Sequence, residues 1–377
     1  MSALLTDSYL SSIKPAYETF PSEYINDIKG WSFSKKYIEE NVGKLLTLDL
    51  DYGNFCSLNC PHCFRKSNFI NKVEQRELKI DDLKKIILDA KKLGLKQVKF
   101  LGKGEPLEND GFLDFLEFLK AQDIWSIIFT KAHMIGDDLL AEKYYSKYGI
   151  TTGEELVQKL KNLNVSLVVG FNAIDANVQN QMVGDLKGTY TPKRNRALHL
   201  LVKHGFSDSV PTRLALGVNP VTKQNINEAL NIYKWARLRN MYVVLTTTMV
   251  SGRAKEWELI NPSDKEIISL YQQIYKFNLD RGLQTIKQIQ EEGISSYAGG
   301  HPCNQVGTGM YITLKGEVLM CPGSEEYDFG NIFEDTLENI WLNSDNYKKR
   351  KGLFNCHCPA KDGKSLPKNL YASLREK

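Results

Sequence analysis

Three cysteines, Cys56, Cys60 and Cys63, stand between Phe55 and Phe64, directly after the apolar run Leu45–Leu50. A C-x3-C-x2-C loop offers three thiolates to an iron–sulfur cluster. A [4Fe–4S] cube has four irons, so one iron keeps no protein ligand and can bind a small chelating molecule. That open iron turns an electron carrier into a catalyst. The competing reading is a structural zinc held by the C-x2-C pair and His62. Zinc knuckles draw on two ligand pairs close in sequence, whereas the next cysteine, Cys303, stands 240 residues beyond Cys63.

The other four cysteines, Cys303, Cys321, Cys356 and Cys358, lie in the last fifth of the chain. They are the right number to close a second cluster completely, or to hold a structural zinc. Seven cysteines in two tight groups fit a disulfide framework poorly. Reduced thiols serving metal, and a cytoplasmic location, are expected instead.

Positioning such a loop is the work of the elements around it. Candidate strands are Leu46–Asp51, Gln97–Leu101, Ser126–Thr130, Ser166–Phe171, Thr212–Val218 and Tyr242–Met249. Helical patterns fall between and after them at Ile80–Leu93, Phe112–Ala121, Thr152–Leu163, Arg194–His204, Ile226–Arg239 and Asp264–Asn278. Six strand-then-helix units with near-continuous apolar strands predict a parallel sheet covered by helices. Right-handed crossovers would curl it into a partial (β/α)6, TIM-like barrel. Residues 1–45 form an N-terminal extension, 46–284 the barrel, and 285–377 a linker and a small C-terminal iron–sulfur subdomain. That last part contains a β-hairpin over Tyr311–Met320 with Lys315-Gly316 at its tip.

In parallel barrels, function gathers at the C-terminal ends of the strands. The cysteine loop follows the first strand, and Gly102-Lys103-Gly104-Glu105-Pro106 follows the second. Both therefore fall on one rim. Glycines at a strand end let backbone approach a ligand closely, although a plain β-turn would use them too. Asn172 and Asn219 follow the fourth and fifth strands, where they serve equally well as turn residues.

The chain has 49 basic and 45 acidic residues, so a net charge of +4 gives no argument for a nucleic-acid partner. Its one basic run, Lys348 to Lys351, reads as a solvated helix face. No signal peptide, membrane span, internal repeat or low-complexity tract is found.

The cysteine triad with Phe64 behind it resembles that of the radical S-adenosylmethionine (radical SAM) enzymes. Leu101 to Leu107 resembles the family's Gly-Gly-Glu-Pro segment, which holds the amino end of S-adenosylmethionine. Lys103 stands where the family has its first glycine, so only Gly104 needs glycine's freedom. Cys303, the Gly316–Cys321 hairpin, Gly330-Asn331-Ile332 and Ser251-Gly252-Arg253-Ala254 are similar to the SPASM and twitch subdomains. The resemblance runs from about Leu46 to Ala360.

It implies a [4Fe–4S] cluster with an open iron on Cys56, Cys60 and Cys63, S-adenosylmethionine, and one auxiliary [4Fe–4S] cluster on the C-terminal four. Whether all four ligate stays open, because Cys356-His357-Cys358 is tighter than the usual C-x2-C. Phe64, Gly104, Glu105, Pro106, Asn172 and Asn219 are the implied cofactor contacts, with Thr247 and Arg253 behind them. A serine often found near Gly170 is absent, which leaves the carboxylate of S-adenosylmethionine without an assigned partner. The implied activity is hydrogen-atom abstraction by a 5′-deoxyadenosyl radical. A two-electron oxidation or rearrangement of a small natural-product intermediate, sugar or aminocyclitol-like, is preferred, because 45 residues hardly accommodate a leader-recognition domain. A peptide-modifying enzyme and a non-catalytic iron–sulfur carrier or sensor are the alternatives. A flavodoxin or ferredoxin would supply electrons. Lys103, Lys131 and His133 stand near strand ends, but none is singled out as a catalytic base.

Overall fold

The computed structural model describes residues 7–64, 76–292, 305–323, 329–344 and 360–368, with 370 and 374. Its centre is one sheet in the order β6-β5-β4-β3-β2-β1-β7-β8-β9. Strands β1 (Thr47–Leu50), β2 (Gln97–Phe100), β3 (Trp125–Thr130), β4 (Val165–Gly170), β5 (Leu214–Val221) and β6 (Tyr242–Thr247) are parallel neighbours in that sequence. The six expected strands are all present, within a few residues at their ends. The partial barrel is thus an α/β structure, as the alternation of strands and helices predicts.

Helices α1 (Ser8–Ser12), α2 (Lys35–Glu40), α3 (Ile80–Lys92), α4 (Phe112–Ala121), α5 (Asp138–Tyr145) and α6 (Gly153–Lys161) precede β4. Then follow α7 (Ala176–Val183), α8 (Tyr190–Lys203), α9 (Ile226–Arg237), α10 (Asp264–Arg281), α11 (Ile286–Glu292) and α12 (Leu337–Asn343). Two of the barrel's helices, α5 and α7, are not among the helical patterns of the sequence. Each is eight residues long, too short for a strong helical period, but Asp137 and Asp175 accept hydrogen bonds from the first turns and start them. Helix α6 carries a full capping box, Thr152 with Glu155.

Alternate residues of each strand face the two sides of the sheet. Leu48, Leu50, Val98, Phe100, Leu167 and Leu216 point outward into the large core under the helices. Truncating any one of them would cost about 2–5 kcal/mol. The inward set includes Ile127, Val168, Ala215, Tyr242 and Val244, which pack on Ile28 and Trp31 of the N-terminal segment. That segment closes the bottom of the barrel. Lys29 N–H donates to the Thr212 carbonyl at 2.8 Å, and Gln97 Nε2 donates to the Trp31 carbonyl at 2.9 Å. With the N-terminal end plugged, the strands' C-terminal ends are where the described residues leave room for a ligand.

The C-terminal hairpin does not stand apart from this sheet. Its first strand, β7 (Gly309–Ile312), pairs parallel to β1, with Asp49 opposite Tyr311. Strand β8 (Glu317–Leu319) returns antiparallel, and β9 (Gly330–Asn331) pairs with it. The hairpin turn centres on Leu314-Lys315, one residue earlier than expected. Gly316 N–H bonds the Thr313 carbonyl, and Gly316 takes the left-handed φ of +74° that follows such a turn. Among the described residues no helix is long and apolar enough to cross a membrane.

Candidate active site

The cysteine loop leaves the top of β1 and is held from three sides. Glu105 N–H donates to the Phe55 carbonyl at 2.8 Å, and Asn109 Nδ2 bonds the same carbonyl at 3.1 Å. Gly104 makes this possible: at φ +85°, a Cβ there would lie 2.9 Å from the Gly53 carbonyl oxygen. On the far side, Asn59 N–H bonds the Val183 carbonyl, and Gly184 at the end of α7 packs against Asn59 backbone. From beyond β6, Arg253 N–H donates to the Cys63 carbonyl at 3.0 Å, while its Nη1 bonds Asn59 Oδ1 at 2.6 Å. Ser251 Oγ holds the Phe64 carbonyl at 3.0 Å. Arg253 therefore braces the loop.

Glu105 is buried with both oxygens engaged. Oε1 accepts from Thr130 Oγ1 at 2.6 Å and Oε2 from Lys131 N–H at 2.7 Å. It ties the β2 loop to the end of β3. Burial raises its pKa, and the hydrogen bonds only partly offset this. A second buried acid, Glu108, holds the loop itself. It accepts the Ser57 N–H at 2.7 Å and the Ser57 hydroxyl, and it bonds His133 Nε2 at 2.7 Å. Burial alone would raise the Glu108 carboxyl, but the His133 and Ser57 hydrogen bonds outweigh it and hold it below the usual range. The Ser57–Glu108–His133 network escapes sequence reasoning, since nothing in the chain pairs residues 51 and 76 positions from Ser57.

Above the barrel these elements surround a cavity of about 160 Å³, open to solvent at its mouth. Its wall gathers Cys56, Cys60, Cys63, His62, Phe64, Gly104, Glu105, Pro106, Lys131 and Asn219. Gly170 and Gly217, paired across β4 and β5, form part of its floor, with the Lys131 side chain lying over Gly170. A Cβ on Gly217 would make only ordinary contact with the protein, 3.5 Å from Val168, so no protein neighbour fills that space. Asn172 lies outside the lining; its Nδ2 reaches the Asn219 carbonyl at 3.4 Å, and its buried Oδ1 has no partner among the described residues. Lys103 contributes its N–H to Asp51 at 2.7 Å and is not part of the wall.

His62 is held neutral, its pKa lowered to about 3 by burial and then by the Lys131 charge. Lys131 goes the other way. Burial opposes its charge, but Cys60, Tyr190, Cys56 and Glu105 outweigh that and raise its pKa.

Among the described residues no three Cys, His, Asp or Glu converge on a single metal ion. The three thiols of the loop are spread along one wall, a donor set for a multi-iron cluster. Of the C-terminal cysteines, Cys321 follows β8 and is half-buried; Cys303, Cys356 and Cys358, with the Lys348–Lys351 run, lie outside the described residues. Two residues after Cys321, Gly323 packs so closely on Met249 that a Cβ would sit 2.2 Å from its sulfur, and Met249 lines the cavity. Behind it, Thr247 Oγ1 bonds Ser365 Oγ at 3.1 Å, so the end of the chain is fastened to β6.

A parallel partial barrel with a three-thiol loop and a glycine-floored cavity on one rim defines an iron–sulfur enzyme class. The profile of the radical SAM superfamily matches residues 50–236, and that of SPASM, an iron–sulfur cluster-binding domain, matches 303–366. The chain belongs to the radical SAM superfamily and carries a C-terminal SPASM domain. Its cofactors are a [4Fe–4S] cluster, S-adenosylmethionine and auxiliary iron–sulfur binding in the SPASM domain. Among solved structures the fold is similar to Streptococcus suis SuiB bound to S-adenosylmethionine, at 17% identity and a TM-score of 0.56 over 83% of this chain and 69% of that one. SuiB bound to its precursor peptide SuiA aligns at 16% identity and a TM-score of 0.55, over 83% and 68%. Native anSMEcpe with bound AdoMet aligns at 15% identity and a TM-score of 0.55, over 88% and 95%. No curated protein matches by sequence.

Proposed function

We propose that this radical SAM enzyme carries out a two-electron oxidation or rearrangement of a small natural-product intermediate, sugar or aminocyclitol-like. The observation that supports it is one cavity bounded by both the three-cysteine loop and the Gly104–Pro106 segment. Bound there, the cluster and S-adenosylmethionine supply a 5′-deoxyadenosyl radical able to remove a substrate hydrogen atom.

Cys56, Cys60 and Cys63 would hold the cluster, and the residues around them fit it. Gly217 leaves open space at the cavity floor, and the carbonyls near Gly104 suit an ammonium group. Glu105, Glu108 and Arg253 keep the loop in place. Phe64 and Pro106 screen the site from water, and Asn219 stands where a polar contact to the ribose is needed. The Cys321 turn, packed on Met249, brings the SPASM domain to the cavity wall, a placement that suits oxidation. A flavodoxin or ferredoxin is proposed as the reductant. A peptide substrate is the second reading, supported by likeness of fold to SuiB, which has been captured with its precursor peptide.

Anaerobically reconstituted protein given dithionite and S-adenosylmethionine should release 5′-deoxyadenosine and methionine, and Cys60→Ala should release neither. Iron-loaded wild type that forms no product would overturn the enzyme reading. Adding candidate sugars, aminocyclitols or peptides and following the loss of substrate hydrogen would then separate the two substrate classes.

A further inference from the structure

One side chain of the SPASM hairpin reaches the loop that borders the cofactor cavity. Tyr311, fully buried on β7, donates its hydroxyl to Oδ1 of Asp51 at 2.6 Å. The same oxygen accepts the backbone N–H of Lys103 at 2.7 Å. Asp51 is itself buried and directly follows β1. A single carboxylate oxygen therefore joins the first strand, the loop after β2 and the SPASM domain.

The contact bears on the part of the loop that forms the cavity wall. Gly102 and Gly104 line the cavity on either side of Lys103. A Cβ on Gly102 would overlap Asp51 Oδ1 and lie 2.7 Å from the Tyr311 hydroxyl, so both groups rest on bare backbone. Groups packed this closely transmit displacement, and a shift of either one shifts the loop. Glu105 pins the far end of the segment to Phe55, Thr130 and Lys131. Those ties stay within the barrel; the tie through Asp51 leads out of it.

On the hairpin side, Tyr311 stands opposite Leu319 of β8, and Cys321 follows two residues later. Asp51 N–H bonds the Ile312 carbonyl at 3.1 Å, and Leu78 N–H bonds the Leu314 carbonyl at 2.7 Å. The hairpin is thus fixed along the first strand. One strand pair, one phenol and one carboxylate connect a SPASM cysteine to the cavity wall.

We infer that Tyr311 is a positioning residue: through Asp51 it sets the Gly102–Gly104 backbone for S-adenosylmethionine and couples cofactor binding to the SPASM domain. This rests on S-adenosylmethionine occupying the cavity as proposed above. Coupling is reciprocal, so binding of the cofactor must also steady the hairpin.

Anaerobic equilibrium dialysis and amide hydrogen exchange of the reconstituted holoenzyme test it, with S-adenosylmethionine as the probe. In wild type, binding should slow exchange in peptides spanning Gly309–Leu319. Tyr311→Phe should raise the Kd about fivefold, the equivalent of one buried hydrogen bond, because the ligand must then order the loop itself. At saturation its hairpin should exchange as fast with ligand as without. Asp51→Asn keeps an acceptor oxygen and should stay within about twofold of wild type. A purely structural hydroxyl would lower the melting temperature of Tyr311→Phe yet leave the ligand-dependent protection in place, and that result overturns the inference. So does an unchanged Kd in Tyr311→Phe, or a wild-type hairpin whose exchange ignores the ligand. Iron content is measured first; Tyr311→Phe that loads no iron overturns the assignment in favour of cluster assembly. Wild type that binds no S-adenosylmethionine would instead refute the cavity as the cofactor site.

Discussion

The backbone N–H of Ser57 donates to Oε2 of Glu108 at 2.7 Å, which fastens the residue after the first cysteine to the loop after β2. Glu108 also holds His133, so three rim loops meet at one buried carboxylate. Glu108→Ala would leave the buried His133 ring and the Ser57 N–H and hydroxyl without their acceptor, at a cost of about 1–3 kcal/mol. The expected outcome is a lower melting temperature and substantially less iron per chain after anaerobic reconstitution. Glu108→Gln keeps an acceptor oxygen and should lose less of both. If Glu108→Ala melts and loads iron like wild type, the carboxylate is not what holds the loop.

The order of motifs along the chain carried the site because strand ends in a parallel barrel share one rim. Cys56, Cys60, Cys63, Gly104, Glu105 and Asn219 meet at one cavity for that reason. The six strands were readable because their outward faces are largely apolar and most inward positions of β3 to β6 are apolar too, whereas β1 and β2 carry Thr47, Asp49, Gln97 and Lys99 inward. What sequence alone could not supply is pairing across distance. Arg253 reaches Asn59 from 194 positions away, and only the curl of the sheet brings them together. The docking of β7 against β1 was missed for the same reason: a hairpin's own pattern says nothing about which sheet edge it will extend.

The glycines of the cavity divide into two kinds, which should behave differently. Gly104 needs its left-handed φ of +85°, and a Cβ would press on two loop carbonyls at 2.9 and 3.0 Å. Gly104→Ala should therefore destabilise the loop itself by about 1–2 kcal/mol or more and reduce iron loading. Gly217 has an unrestricted backbone and only ordinary contacts for a Cβ. Gly217→Ala should melt like wild type and load iron normally, yet bind S-adenosylmethionine several-fold more weakly. Calorimetry, iron content and dialysis measured together decide it. A loss of stability in Gly217→Ala with unchanged ligand affinity would show that this glycine serves the barrel and not the cavity.

Deeper in the barrel, Asp49 on β1 faces Lys99 on β2 and is almost fully buried. Its Oδ1 has no partner among the described residues. Burial raises its pKa to about 7, and the Lys99 charge only partly opposes this. An unfolded aspartate titrates near pH 3.9. Between about pH 4 and pH 7 the folded state keeps a proton that the unfolded state has lost, so stability falls as pH rises across that window. The contribution is fully present below about pH 4 and gone above pH 7; roughly 3 pH units make it about 4 kcal/mol as an upper bound. Asp49→Asn, neutral throughout and nearly the same shape, should melt several degrees above wild type at pH 8.5 and by only about a third as much at pH 5. Thermal unfolding of the apo-protein at the two pH values measures this directly. A wild type that outlasts Asp49→Asn at pH 8.5 would mean that the Asp49–Lys99 attraction exceeds the cost of burying the charge.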